Sequence, residues 1–204
     1  TLGKDTALQG DFTAEASAAL ARASDKGRLR PSVVQHPASV RDNTLDNTPP
    51  LVEVELSGEA GSSLGVMAKG GGSEMASRLA MLPPGSGWPG VMEFVSRLVE
   101  EAGPCSCPPL ILGVGVGGSF DTAPMLARKA LLSRLDQDNP DHELSRVEKK
   151  IAAAANRLGI GPGALGGTVT CVGVKVLQAP CHIANLPVAV SVSCHALRRK
   201  VIAI

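Results

Sequence analysis

The stretch PCSCPPLILGVGVGG, residues 104–118, carries the features that decide how this chain folds. Two cysteines and a pair of prolines come directly before the apolar run 110–116, which has the length and composition of a buried strand. Glycines alternate through that run and follow it, and a glycine lets another segment approach its backbone closely. The sequence therefore predicts a strand that leaves a cysteine-bearing turn and packs tightly against the helix after it.

Cys107 is the first candidate for a metal ligand in this stretch. Proline disfavours the helical region for the residue before it, so Pro108 predicts an extended backbone at Cys107, with the thiol held in one direction. A structural role is the alternative, because free cysteine is among the most buried residue types. The residues by themselves leave both interpretations open.

Length and composition exclude several classes of function. A chain of 204 residues with 44% hydrophobic content can bury a proper core. A formal net charge of +1 gives no electrostatic attraction to nucleic acid, and 2% aromatic residues offer few surfaces on which bases stack. No apolar run is long enough for a membrane span, and the first ten residues lack a signal peptide's apolar core. We therefore expect a cytoplasmic protein that binds neither nucleic acid nor membrane.

The cysteine count points to thiol or metal chemistry. Five cysteines are an odd number, and nothing in the sequence indicates secretion, so thiols and metal or cluster ligands are favoured over a disulfide framework. The GVGVGG segment, residues 113–118, is a weak candidate for nucleotide binding, since it lacks the GxGxxG spacing and an acidic residue at the usual offset.

Hydrophobic periodicity predicts alternating helices and strands, and hence one mixed, layered α/β domain over residues 1–204. Between the first helix and the first strand, a proline-rich segment at 27–50 has the composition of a loop, and a glycine loop is expected at 70–72. Helices are predicted at 13–24 behind a Thr13 N-cap, at 89–102, after Ser119 or Asp121, and at 144–158. Strands are predicted at 51–56, 110–116, 168–177 and 186–194, with a strand tail at 65–69 that leads into the glycine loop.

Seven motifs in a fixed order carry a family resemblance. They are GRLRPSVV, NTLDNTP, KGGGSE, CPPLILGVGVGG, LARKALL, NRLGIGPGALGG and HIANLPVAVSVSCHALR. Together they resemble the α region of the class I, iron–sulfur-dependent fumarate hydratases and the related tartrate dehydratases. The resemblance runs from about Gly10 to Arg199 and therefore covers nearly the whole chain.

The resemblance implies a [4Fe-4S] cluster held by three cysteines. Cys107 matches the ligand of the family's CPP motif, and Cys194 matches the ligand that follows the PVAV strand. The third ligand belongs to a C-Q-D-T-G motif that the family pattern places upstream of Thr1, so we expect an N-terminally truncated α-type domain. A cluster with three protein ligands leaves one iron open as a Lewis acid.

The resemblance also implies substrate-binding residues. Arg30 matches an arginine that binds a substrate carboxylate, a role that suits a planar guanidinium; an exposed arginine is otherwise mostly solvated surface. Gly71 and Gly72 match a loop that reaches the substrate, although Met75 stands where the family commonly has asparagine. A flexible turn is the alternative interpretation of these glycines.

The histidines and the other cysteines are assigned by position. His182 and His195 are expected either to orient groups around the cluster or to be ordinary hydrogen-bonded histidines. The three cysteines that match no ligand position are assigned to packing; these are Cys105, Cys171 and Cys181.

The predicted function is the α part of a hydro-lyase that acts on a four-carbon dicarboxylate. Fumarate and malate are favoured over tartrate, because KGGGSE is closer to the fumarase form of that loop. The resemblance places the catalytic base in a β subunit or C-terminal domain, so we expect a homo- or hetero-oligomer whose α part alone is inactive. A non-catalytic scaffold that keeps the fold without a cluster is the alternative.

Overall fold

The computed structural model describes residues 1–7 and 9–204, which form mixed helices and strands. This confirms the predicted α/β class. The chain divides into two compact units, residues 1–64 with 202–204 and residues 65–201. That residues 1–204 correspond to one family domain stays a prediction.

The helices are α1 (Phe12–Lys26), α2 (Gly71–Glu74), α3 (Gly87–Ala102), α4 (Thr122–Ala130) and α5 (His142–Arg157). The strands are β1 (Ser63–Ala68), β2 (Arg78–Leu82), β3 (Leu110–Gly117), β4 (Cys171–Ala179), β5 (Leu186–Cys194) and β6 (Arg198–Ala203).

The main sheet is built around β3, as the apolar run predicted. Its strands follow the order β2, β5, β3, β4, with β3 parallel to β4 and antiparallel to β5. Every residue of β3 is buried, since the helices α3 and α5 cover one face and α4 covers the other. Strands β1 and β6 form a separate two-stranded sheet.

Large and small residues alternate along β3 because its two faces meet different neighbours. Leu112 and Val114 pack in the core cluster that includes α3 and α5. On the other face, a Cβ added to Gly113 would lie 2.1 Å from the Ala127 carbonyl oxygen of α4. The glycines after the cysteines therefore serve close packing of a strand against a helix, as predicted.

The helix predictions are confirmed except at one cap. Helix α1 begins at Phe12, and its N-cap is Asp11 rather than Thr13. The Asp11 carboxylate accepts hydrogen bonds from the Thr13 and Ala14 backbone N–H groups at 2.9 and 3.0 Å. A carboxylate at the cap satisfies amides that the first helical turn leaves without intrahelical acceptors.

The strand predicted at 51–56 is wrong. Leu56 makes only an isolated bridge, with Leu2, and its side chain is 81% exposed. Alternation of apolar and charged residues indicates one apolar face, but a strand also needs a neighbouring strand along its length. Strand β1 (Ser63–Ala68) confirms the strand tail predicted at 65–69. Strands β2 and β6 supply pairings that the sequence did not reveal, and β6 begins with three basic residues that obscure its pattern.

The glycine loop predicted at 70–72 is also different, because Gly71–Glu74 form a single helical turn. The segment 27–50 is irregular as predicted, apart from a bridge between Val34 and Asn43. Among the described residues, all buried hydrophobic side chains that form the core belong to the second unit. No helix in the described part combines the length and the apolar character that a bilayer span needs.

Replacing Gly115 by alanine tests the close packing of α4 on β3. A Cβ there would lie 2.1 Å from the Ala123 carbonyl oxygen, so we expect the free energy of unfolding to fall by about 1–3 kcal/mol. Urea titration followed by fluorescence of Trp88, the single tryptophan, measures this change in the second unit. Gly85→Ala is the control, because none of the described atoms lies within 4 Å of its added Cβ; a change below about 0.5 kcal/mol is expected. Equal losses in both variants would contradict the packing argument.

Candidate functional site

The pairing of β5 with β3 brings two distant cysteine segments together. In that ladder Cys194 lies opposite Leu110, which is three residues after Cys107. The His195 backbone N–H donates a hydrogen bond to the Pro109 carbonyl oxygen at 2.9 Å. Cys107 and Cys194 are 87 residues apart in the sequence, yet their segments meet at one end of the sheet.

The backbone of Cys107 is left-handed, with φ 54° and ψ 61°, so the extended conformation predicted for it is wrong. Proline disfavours the right-handed helical region for the preceding residue, but Cys107 also ends the 3-10 turn Pro104–Ser106. A left-handed residue is a common way to end such a turn. The Cys107 side chain is exposed, so it is not the core residue of the alternative interpretation.

Ser106 fastens this turn to the end of α3. Its side chain is buried, and its hydroxyl donates to the Ala102 carbonyl oxygen at 2.6 Å. Its backbone N–H donates to the Gly103 carbonyl oxygen at 3.0 Å. The turn is therefore held from its middle, while the residues on either side of Ser106 remain accessible.

A cavity of about 700 Å³ opens beside the turn. Its wall is mostly apolar, with two thiols and one imidazole as the polar exceptions. The lining residues are Pro104, Cys105, Cys107, Pro108, Pro109, Pro162, Gly163, Val172 and His195.

Helix α2 packs against both cysteine segments, since it contacts the 3-10 turn and β5. Lys69 precedes this helix and forms an ion pair with Glu74 at its end. Burial lowers the pKa of the Lys69 ammonium, while its hydrogen bond to Glu74 and the charge of Glu74 act in the opposite direction. No role for Lys69 was predicted from the sequence, where the signal for the ion pair is a lysine and a glutamate five residues apart around three glycines.

The glycines of α2 are open to their surroundings. A Cβ added to Gly71 or Gly72 would meet no atom of the described residues within 4 Å, and neither glycine has a positive φ. In the described part, packing within the chain therefore does not explain glycine at these positions. The first-turn N–H groups of a helix have no intrahelical acceptors, so these amides are suited to bind an anion from outside.

The structure separates the two histidines. His195 is exposed and lines the cavity next to Cys107. His182 comes before β5, and Cys194 is the last residue of that strand. The length of β5, about 26 Å at about 3.3 Å per residue, therefore separates His182 from Cys194. Its Nδ1 accepts a hydrogen bond from the Ala184 N–H at 3.1 Å. Within one chain, His195 but not His182 is brought to the cysteine end of the sheet.

The three remaining cysteines differ in their environment. Cys171 is buried in the core, and burial raises the pKa of its thiol to about 11. Its assignment to packing agrees with this position. Cys105 and Cys181 are exposed, so their assignment to packing is wrong. A cysteine that matches no ligand position in a motif is therefore not necessarily buried in the core.

Arg30 belongs to the first unit, and its side chain is exposed. Its carbonyl oxygen accepts a hydrogen bond from the Ser32 hydroxyl at 3.1 Å. The other predicted ligand and substrate-binding residues belong to the second unit. Across residues 1–7 and 9–204, no group of three or more His, Cys, Asp or Glu side chains is arranged to hold a metal ion.

The fold and this site define an α/β protein that presents two free thiols at one end of a mixed sheet, beside an open glycine turn. The chain belongs to the fumarate hydratase (Fumerase) family, whose model matches residues 1–203. This agrees with the resemblance carried by the seven motifs.

Curated relatives of this chain are α subunits of tartrate dehydratases. The putative L(+)-tartrate dehydratase subunit alpha of Methanocaldococcus jannaschii is 38% identical over 185 residues, which are 88% of this chain and 64% of that protein. The L(+)-tartrate dehydratase subunit alpha of Escherichia coli K12 is 30% identical over 200 residues, which are 97% of this chain and 66% of that protein. The chain thus spans just under two thirds of the length of these relatives.

Alkylation rates test the environments of the cysteines. Because burial raises the Cys171 pKa from 9.0 to about 11, its thiolate fraction at about pH 8 is roughly 100-fold below that of an ordinary thiol. We expect iodoacetamide to modify Cys171 in the folded chain at least about 100-fold more slowly than the exposed Cys181, as measured by peptide mass spectrometry. In urea the two rates should converge. Equal rates in the folded chain would show that Cys171 is not protected.

Proposed function

We propose that this chain is the α part of an iron–sulfur hydro-lyase that adds or removes water on a four-carbon hydroxy-dicarboxylate. The observation that carries the proposal is the meeting of Cys107 and Cys194 at one end of the sheet. Family membership and the names of the relatives support the reaction class.

The two cysteines suit the cluster that the family resemblance implies. Both are free thiols, Cys107 is exposed and Cys194 is half-buried, and thiolates are the usual ligands of iron–sulfur clusters. They supply two of the three protein ligands that such a cluster takes. When bound, the cluster supplies an open iron that accepts the substrate hydroxyl and makes it a better leaving group.

The second unit positions the substrate through backbone amides in this proposal. Gly71 and Gly72 present first-turn N–H groups to a substrate carboxylate, and the absence of Cβ atoms permits close approach. The ion pair between Lys69 and Glu74 closes the segment that contains these glycines, which keeps the turn in place beside Cys194. His195, on the cavity wall, is assigned to orient groups around the cluster.

Arg30 is proposed to bind a carboxylate of the substrate, because a guanidinium pairs with a carboxylate through two parallel hydrogen bonds. Removal of the proton from the carbon next to the leaving hydroxyl is assigned to a base in the β part. The named relatives are α subunits, which supports a β partner for this chain as well. On this assignment the α chain by itself does not turn over substrate.

Two substrates fit this chemistry. Fumarate with malate is favoured by the form of the KGGGSE segment, whereas the names of the relatives favour L(+)-tartrate. We place tartrate first, because the relatives match 88% and 97% of the chain and KGGGSE is a single segment. The kcat/KM of the complex with its β partner, compared for tartrate and malate, decides between them.

Anaerobic reconstitution with ferrous iron and sulfide tests the cluster. We expect this chain, extended upstream of Thr1 by a segment that carries the third cysteine ligand and combined with its β partner, to turn brown, with broad absorption in the visible blue. Cys107→Ser and Cys194→Ser should each lose most of that absorption, because each removes a thiolate ligand. Cys181→Ser is the matched control, since Cys181 is exposed but lies before β5, at the other end of the sheet. A colourless wild-type complex would instead support the scaffold alternative.

Arg30→Lys in the same complex tests carboxylate binding. Lysine keeps the charge but not the two-pronged geometry, so the cluster spectrum should stay unchanged while kcat/KM falls. Loss of a charge-assisted contact of about 1.5–3 kcal/mol corresponds to roughly ten- to hundred-fold in kcat/KM. Arg28→Lys is the control and should change kcat/KM by less than about twofold. Unchanged kinetics in Arg30→Lys would remove Arg30 from the site.

A further inference from the structure

The segment NTLDNTP, residues 43–49, contains an asparagine that the proposed function does not use. The Ser32 backbone N–H donates a hydrogen bond to the Asn47 side-chain oxygen at 2.7 Å, although 15 residues separate the two. Because Pro31 has no backbone N–H, the Ser32 amide is the first main-chain donor after Arg30. Asn47 therefore holds the backbone directly beyond the proposed carboxylate-binding residue.

The other end of the Asn47 side chain is attached to helix α1. Its amide nitrogen donates to the Ser24 hydroxyl at 3.2 Å, and Ser24 is 5% exposed near the end of that helix. The Ser24 carbonyl oxygen also accepts a hydrogen bond from the Leu29 backbone N–H at 2.9 Å. One buried helical residue thus fixes the chain before Arg30 through its carbonyl group and after Arg30 through Asn47.

The backbone and the side chain of Asn47 both favour asparagine at this position. Its φ is 65°, in the left-handed region that asparagine adopts more readily than most residues. Its oxygen faces the Ser32 N–H, which can only donate, and its nitrogen then donates to the Ser24 hydroxyl. Glycine fits the same backbone but makes neither of these bonds.

The backbone around Arg30 decides how its guanidinium meets a carboxylate. The Arg30 side chain is exposed, so little packing restrains its long stem. A contact through two parallel hydrogen bonds depends on orientation, and a backbone that is ordered before binding lowers the entropy lost on binding. Asn43 adds support, since its side-chain amide donates to the Pro31 carbonyl oxygen at 3.2 Å.

We propose that Asn47 is a positioning residue for Arg30. It ties the backbone after Arg30 to the buried Ser24, and this tether, formed by Asn47 with Ser24 and Ser32, sets the direction in which the guanidinium reaches a substrate carboxylate. The consequence for binding rests on the proposed function, because it assumes that Arg30 binds a carboxylate. Asn47 itself does not touch the substrate.

Amide hydrogen exchange of the 204-residue chain, followed by NMR, tests the tether without any need for activity. In Asn47→Gly we expect the Ser32 amide to exchange about 3- to 10-fold faster, because its acceptor is removed while glycine keeps the left-handed backbone. The Leu29 amide should keep its wild-type rate, since its acceptor is the Ser24 carbonyl oxygen. An unchanged Ser32 amide would overturn the inference.

Two further variants control this experiment. Leu45→Gly makes the same replacement in the same loop, at a residue with φ 68° whose side chain is 75% exposed, so the Ser32 amide should keep its wild-type rate. Ser24→Ala removes only the hydroxyl that anchors Asn47, and it should speed Ser32 exchange by about 2- to 3-fold. If Asn47→Gly does not fold, Ser24→Ala decides the question, and an unchanged Ser32 amide there would overturn the tether.

The kinetic test uses the complex that carries the upstream cysteine segment and the β partner. We expect Asn47→Gly to lower kcat/KM about 3- to 10-fold, mostly through a higher KM, with the cluster spectrum unchanged. In an Arg30→Lys background the same change should cost less than about twofold, because lysine lacks the geometry that Asn47 positions. A merely structural role would cost the same factor in both backgrounds.

The exchange and kinetic results separate the tether from its consequence. Faster Ser32 exchange with unchanged kcat/KM, or equal kinetic losses in the two backgrounds, would overturn the positioning role of Asn47. A wild-type complex without turnover, or an Arg30→Lys complex with wild-type kinetics, would overturn the proposed function of Arg30 and the positioning role together. The exchange result would still decide the tether in that case.

Discussion

The hydrogen-bonded register of β5 on β3 is the constraint on which the candidate site depends. Strand β3 is buried along its whole length and pairs on both sides. Its ladder with β5 runs without a break from Leu110 to Val116, whereas its ladder with β4 shifts register between Leu110 and Ile111. Antiparallel pairing with β5 then places the end of β5 at the start of β3, and Cys194 comes opposite Leu110. A shift of one residue in this register would turn every side chain of β5 to the opposite face, and buried strands resist such a shift.

Glycine has two different uses in this chain. At Gly113 and Gly115 the helix α4 approaches so closely that any side chain would collide with its backbone. At Gly71 and Gly72 there is open space in the described structure. The first pair is explained by the fold alone, whereas for the second pair we propose a ligand that reaches the backbone amides. The same residue type therefore has to be interpreted from its surroundings.

Burial distinguishes the cysteines in the same way. Cys171 is enclosed by the core, which raises its pKa and makes it unreactive, while Cys105 and Cys107 lie at an open cavity. The partly buried Lys69 pairs with Glu74, and this ion pair offsets part of the cost of burying its charge. The two proposed cluster ligands, Cys107 and Cys194, thus both belong to segments that meet at one end of the sheet.

The sequence by itself determined the α/β class, the buried strand at 110–116, most of the helix positions and the family. These follow from local hydrophobic periodicity, helix-ending glycines and the order of motifs along the chain. Only the tertiary structure decided the left-handed backbone of Cys107, the exposure of Cys105, the position of Lys69 and the absence of a strand at 51–56. The exposure of Cys105, the surroundings of Lys69 and the missing strand depend on contacts between residues far apart in the sequence, and local patterns carry no information about which segments will meet. The left-handed Cys107 depends instead on how the adjacent turn Pro104–Ser106 ends, which Pro108 alone did not reveal.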